Sequence, residues 1–119
     1  MIHEEKKVAK IIEELTMFFF TVGADEIESK IKRDNHTDII WMSANYNAEY
    51  KDELYYLDEY LNKEKNDGLE DIYWELAGSG DPGESSQLLL IGMMIDKAEI
   101  HIEDDRVEVK LYKAFQDGY

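Results

Sequence analysis

The sequence predicts an α+β fold, a two-layer sandwich with helices gathered on one face of an antiparallel sheet. Three observations predict it. Val8, Ile11, Ile12, Leu15, Phe18, Phe19 and Val22 recur at helical spacing. Residues 26–44 and 98–113 each hold two runs of alternating apolar and charged residues around a polar turn, the pattern of a hairpin. Between those segments the spacing turns helical again, so the order is helix, hairpin, helices, hairpin.

The first helix is expected from His3 to Val22. Glu4 and Glu5 fall in its first turn, where they complement the helix dipole, and Gly23 is a natural stop. Glu26 to Lys32 alternates as a half-exposed strand. Arg33-Asp34-Asn35-His36 reads as a turn, because Asp and Asn tolerate left-handed backbone. Asp38 to Ala44 is the second strand of that hairpin. Ala48 to Lys63 reads as a helix with Tyr50, Leu54, Leu57 and Leu61 on one face and carboxylates on the other. Asn66-Asp67-Gly68 ends it, and a short helix from Leu69 to Ala77 follows. Gly78 to Gly83 is a loop, since three glycines and the only proline fall together there. Ser85 or Ser86 caps a third helix running to about Asp96, apolar almost all round and so buried. Ala98 to Glu103 and Arg106 to Lys113 form the closing hairpin about Asp104-Asp105.

The 119 residues suit one domain, residues 1–119. The 44% of apolar residues is enough for one core and argues against disorder. A formal net charge of -15 repels phosphate backbones and anionic membranes, so no nucleic acid and no membrane is expected as a partner. A basic protein is the favoured partner, and a homodimer is compatible with the sequence. The absence of cysteine removes disulfides, thiolate catalysis and most zinc sites, and fits a reducing cytoplasm. Met1 to Lys10 lacks a signal-peptide core, and the longest apolar run, Gln87 to Ile95, is about half a membrane span.

Four stretches share a pattern. Glu14 to Gly23 is helical, with Phe18 four residues after the glutamate and Val22 before the glycine. Asp38 to Asn47 is a strand running into Ala44-Asn45-Tyr46-Asn47-Ala48. Gly83 to Asp96 is a turn, Ser85-Ser86-Gln87-Leu88, opening an apolar helix, and Lys97 to Lys113 is a closing hairpin. This order resembles the GHKL (histidine-kinase-like) ATPase fold, and most nearly the anti-sigma-factor serine kinases and histidine-kinase ATP domains. The resemblance implies a nucleotide pocket at Glu14, Phe18, Asn45, Asn47, Ser85 and Ser86. In the family a magnesium-binding asparagine stands where this chain has Phe18, and histidine where it has Val22. The family's Asp-x-Gly-x-Gly is replaced by the Asn45–Asn47 segment, and its Gly-x-Gly phosphate turn by the two serines.

A phenyl ring cannot ligate magnesium, which takes oxygen ligands. Side chains at the serines crowd a phosphate that needs close backbone approach. Glu14, a general base in catalytic branches of the family, has no phosphate donor to work with. The expected function is therefore a non-catalytic, pseudo-ATPase domain acting as a protein-binding regulatory module, with no catalytic residue, metal or cofactor. The alternatives are a divergent ATP-binding serine or histidine kinase using ATP and magnesium, and an unrelated small α+β protein.

Other groups point less far. His101 and Glu103 share a strand face and, with Asp104 and Asp105, resemble a sparse metal site; solvated side chains are the simpler account. Carboxylate neighbours such as Glu13-Glu14 and Asp52-Glu53 do not face each other across a cleft, as glycoside hydrolysis requires. Tyr55 and Tyr56 cannot both face inward with Leu54 and Leu57. Tyr56 and Tyr60, set among acids, are the candidate partner-binding residues.

Overall fold

The computed structural model of the chain describes residues 2–62, 88 and 91–114. The expected Leu69–Ala77 helix, the Gly78–Gly83 loop and the Ser85/Ser86 cap lie outside the described residues.

Helix α1 spans Ile2–Thr21. Its apolar stripe puts Val8, Ile11, Leu15, Phe18 and Phe19 in the core. Gly23 ends it as expected, at φ 89°. Ala24 N–H reaches back to the Phe19 carbonyl at 3.0 Å and Gly23 N–H to that of Phe20 at 3.1 Å. That pair of bonds is the Schellman arrangement, in which a left-handed glycine lets the last carbonyls be satisfied. Ala24 and Phe19 are both buried beneath it.

The chain then forms β1 (Ile27–Asp34) and β2 (Thr37–Asn45), paired antiparallel with Ile31 opposite Ile40 and Asp34 opposite Thr37. The turn is tighter than Arg33 to His36. Arg33 and Asp34 stay in the strand because the Arg33 guanidinium is bonded to Asp38, its cross-strand partner. Asn35 takes the positive φ, 54°, that asparagine tolerates. β1 is an edge strand and more exposed than its alternation suggests, with Ile31 49% exposed.

Asn47 caps a short 3-10 turn, Ala48–Tyr50, by accepting from Glu49 N–H, and α2 (Lys51–Leu61) continues from it. Leu54, Leu57 and Leu61 are buried as expected, but Tyr50 is not. It precedes the regular α-helix, so the helical period does not carry it inward. Leu88 and residues 91–94 are helical, with Leu88, Ile91 and Ile95 buried. Gly92 lies against α2 so closely that a Cβ there would sit 2.3 Å from the Tyr60 carbonyl oxygen.

β3 (Lys97–Ile102) and β4 (Arg106–Ala114) close the chain, with Ile102 opposite Val107. β4 also pairs with β2, so both hairpins share one antiparallel sheet in the order β1-β2-β4-β3. The result is a small α+β domain with helices on one sheet face. Each large side chain buried between helices and sheet contributes about 1.5–3 kcal/mol. Two charged residues, Asp38 and Lys113, share that inner face at register-paired positions. Among the described residues no helix is long and apolar enough to cross a membrane.

Candidate functional site

The positions of the resemblance lie on α1 and at the end of β2. Phe18 is 7% exposed and meets Phe19 edge-on, with ring centroids 6.0 Å apart. It is part of the core. Glu14 lies one turn before it and pairs with Lys10 at 2.8 Å. The Lys10 ammonium, held first by Glu14 and then by Glu13, has its pKa raised.

Asn45 and Asn47 serve the backbone. The Asn45 side-chain Oδ1 accepts from Asp25 N–H at 2.9 Å and Glu26 N–H at 3.0 Å, which fixes the entry to β1. Asn47 N–H donates to the Val22 carbonyl at 2.8 Å, joining the end of α1 to the end of β2. The approach is close: a Cβ on Gly23 would lie 2.8 Å from that of Asn47. Between them Tyr46 is buried and its hydroxyl donates to the Glu103 carbonyl. Asn45 and Asn47 therefore meet the C-terminal end of α1, while Glu14 lies further back along the helix beside Lys10; the side-chain polar atoms of all three are engaged by neighbours. Ser85 and Ser86 lie outside the described residues.

The tyrosine face is more open. Tyr55 and Tyr56 on α2 are 58% and 50% exposed, and Tyr50 just before it is 40% exposed. Asp52, Glu53, Asp58 and Glu59 are exposed beside them. Tyr60 turns toward the core and is half-buried, its ring 6.4 Å from that of Tyr56. Tyr55 is thus a better surface residue than Tyr60, a distinction set by the helical phase of the buried leucines.

His101 and Glu103 bond to each other at 3.0 Å, both about two-thirds exposed. Among the described residues no group of three or more His, Asp or Glu is placed to hold a metal ion.

Sequence reasoning missed two charged arrangements. Under the N-terminal half of α1, Arg33 grips Asp38 with two hydrogen bonds of 2.7 and 2.9 Å, while Lys113 donates to Glu4. Alternation would have found Asp38 and Lys113, since each falls in phase with the apolar residues of its strand. The Lys113 hydrogen bond holds the Glu4 carboxyl below its ordinary range, and the Asp38 hydrogen bond raises the Arg33 guanidinium.

On the opposite face of the sheet, which none of the described helices covers, Trp41 lies between the ammonium groups of Lys30 and Lys110, each 5.3 Å from its ring. Tyr112 donates to Glu99 at 3.1 Å and lies beside Lys97 and Lys110. The Tyr112 hydroxyl is the main cause lowering the Glu99 pKa and raising that of Lys110. Lysine stems cover these rings and leave the charges in water. No family model, curated protein or solved structure matches the chain.

Proposed function

We propose that the chain is a non-catalytic protein-binding module, a histidine-kinase-like ATPase domain whose nucleotide positions have been given over to packing. Its partner is a basic polypeptide segment that lies along the outer face of α2. The observation that carries this reading is the exposure of Tyr50, Tyr55 and Tyr56 among Asp52, Glu53, Asp58 and Glu59. Tyrosine offers contact area at small entropic cost, and carboxylates steer a cation toward it. The net charge of -15 favours the same class of partner.

The loss of chemistry is supported at each described pocket position. Phe18 offers no oxygen to a cation, Glu14 is paired with Lys10, and Asn45 and Asn47 hold backbone groups. The shared sheet and the helix–hairpin–helix–hairpin order are compatible with the ATPase fold and do not single it out.

A lysine-rich amphipathic peptide titrated into isotopically labelled protein should shift the amide resonances of residues 50–59. Added salt should weaken the binding, and Tyr55→Ser with Tyr56→Ser should abolish it. Unchanged affinity in that double variant refutes the assigned face. ATP with magnesium should leave the melting temperature unchanged. Stabilisation of about 2.7 kcal/mol at a hundredfold excess over a dissociation constant refutes the loss of nucleotide binding.

A further inference from the structure

We propose that two copies of this chain pair through β1, antiparallel about a two-fold axis at Ser29, to form one continuous eight-stranded sheet. The edge strand is its own complement. From Glu26 to Lys32 the sequence runs Glu-Ile-Glu-Ser-Lys-Ile-Lys, acids before Ser29 and bases after it, with isoleucines placed evenly on both sides.

An antiparallel copy centred on Ser29 sets Glu28 opposite Lys30 and Glu26 opposite Lys32, each pair occurring twice by symmetry. Residues directly opposite on one sheet face are close enough to interact. On the helix-side face the same register sets Ile27 opposite Ile31. That covers Ile31, which is 49% exposed at the rim of a cleft of about 520 Å³ shared with Val8, Ala9 and Ile12 of α1.

The register is specified. Moving the axis to Lys30 sets that lysine against its own copy, and moving it to Glu28 sets two glutamates together. Only the Ser29 axis leaves no like-charge pair within residues 26–32. Protected edges commonly use lysine or proline to repel further strands. An acid-to-base order does the opposite for a second copy, because it neutralises itself on pairing. The contact is isologous, so it closes at two subunits.

The test is sedimentation equilibrium of the full chain, with hydrogen exchange as a second reading. The wild type should dimerise reversibly, and β1 amides should exchange more slowly as protein concentration rises. Lys30→Glu with Lys32→Glu, and separately Glu26→Lys with Glu28→Lys, should each weaken self-association about tenfold or more. An equimolar mixture of the two double variants should restore a dimer, as should the fourfold swap within one chain. Circular dichroism checks that each variant is folded. If a variant is not folded, the concentration dependence of wild-type β1 exchange decides. A wild type that stays monomeric overturns the proposal. So do reversed variants that dimerise as tightly as wild type, or a mixture that stays monomeric.

Discussion

Replacing Arg33 with methionine should destabilise the protein more than replacing Asp38 with leucine, although the two residues share one ion pair. The asymmetry follows from burial. The Asp38 side chain is 1% exposed and that of Arg33 is 38% exposed. Without Arg33, a carboxylate stays on the inner face of the sheet having lost two hydrogen bonds of 2.7 and 2.9 Å. Breaking a fully buried pair from one side costs about 3–5 kcal/mol. Water reaches the arginine end of this one, so the cost should fall to about 2–3 kcal/mol. Without Asp38, the guanidinium turns to solvent, and leucine adds apolar contact beside Ile40; the change should stay within about 1 kcal/mol. The double variant should then be more stable than Arg33→Met alone, with a coupling of about 2 kcal/mol. Urea unfolding at neutral pH, followed by circular dichroism, measures all four proteins. Equal costs for the two single variants would refute the reasoning.

Three further outcomes are expected. The Glu4 carboxyl is held below its ordinary value of 4.5, first by the Lys113 hydrogen bond. It therefore contributes stability that is complete above that value and is lost as pH falls through the lower folded-state pKa; Glu4→Gln should flatten the urea-midpoint profile in that window. Gly92→Ala places a methyl group 2.3 Å from the Tyr60 carbonyl oxygen and should lower the thermal midpoint by more than Gly23→Ala, whose Cβ lies 2.8 Å from that of Asn47 at φ 89°. Phe18→Ala should cost about 3–5 kcal/mol in urea unfolding and confer no magnesium–ATP stabilisation, because the ring is core and its removal adds no oxygen ligand.

The elements that bury one face were legible in the sequence. The α1 stripe, the Leu54–Leu57–Leu61 row and both hairpins follow from period alone, and Gly23 marks the helix end through its backbone freedom. Tyr50 failed because periodicity assumes a regular helix, and the chain enters α2 through a tighter turn. Arg33 failed because turn propensity is local, whereas its bond to Asp38 across the hairpin extends the strand. The site was less legible. Asn45 and Asn47 stand out only through the family resemblance, and their hydrogen bonds to Asp25, Glu26 and Glu49 depend on where the α1 end meets β2. Phe18 lies in the core with the rest of the stripe, packed edge-on against Phe19.

The two proposed surfaces lie on opposite edges of the sheet, which makes them separable and gives their combination a length. β1 is one edge of the order β1-β2-β4-β3, and α2 packs near β3 at the other. Pairing through β1 therefore leaves α2 uncovered in both copies and carries the two acidic faces to the outer ends of an eight-stranded sheet. Seven strand spacings of about 4.8 Å separate the outer strands, roughly 34 Å. A partner carrying two basic segments gains avidity only if its linker spans that distance. Two copies of one lysine-rich peptide, joined by a flexible linker long enough for that span, should bind the wild type more tightly than the single peptide does. The advantage should vanish with a linker too short to reach, and also in the Lys30→Glu/Lys32→Glu variant, whose single-site affinity should be intact. A gain that persists in that variant would mean that the two faces are not brought together by β1.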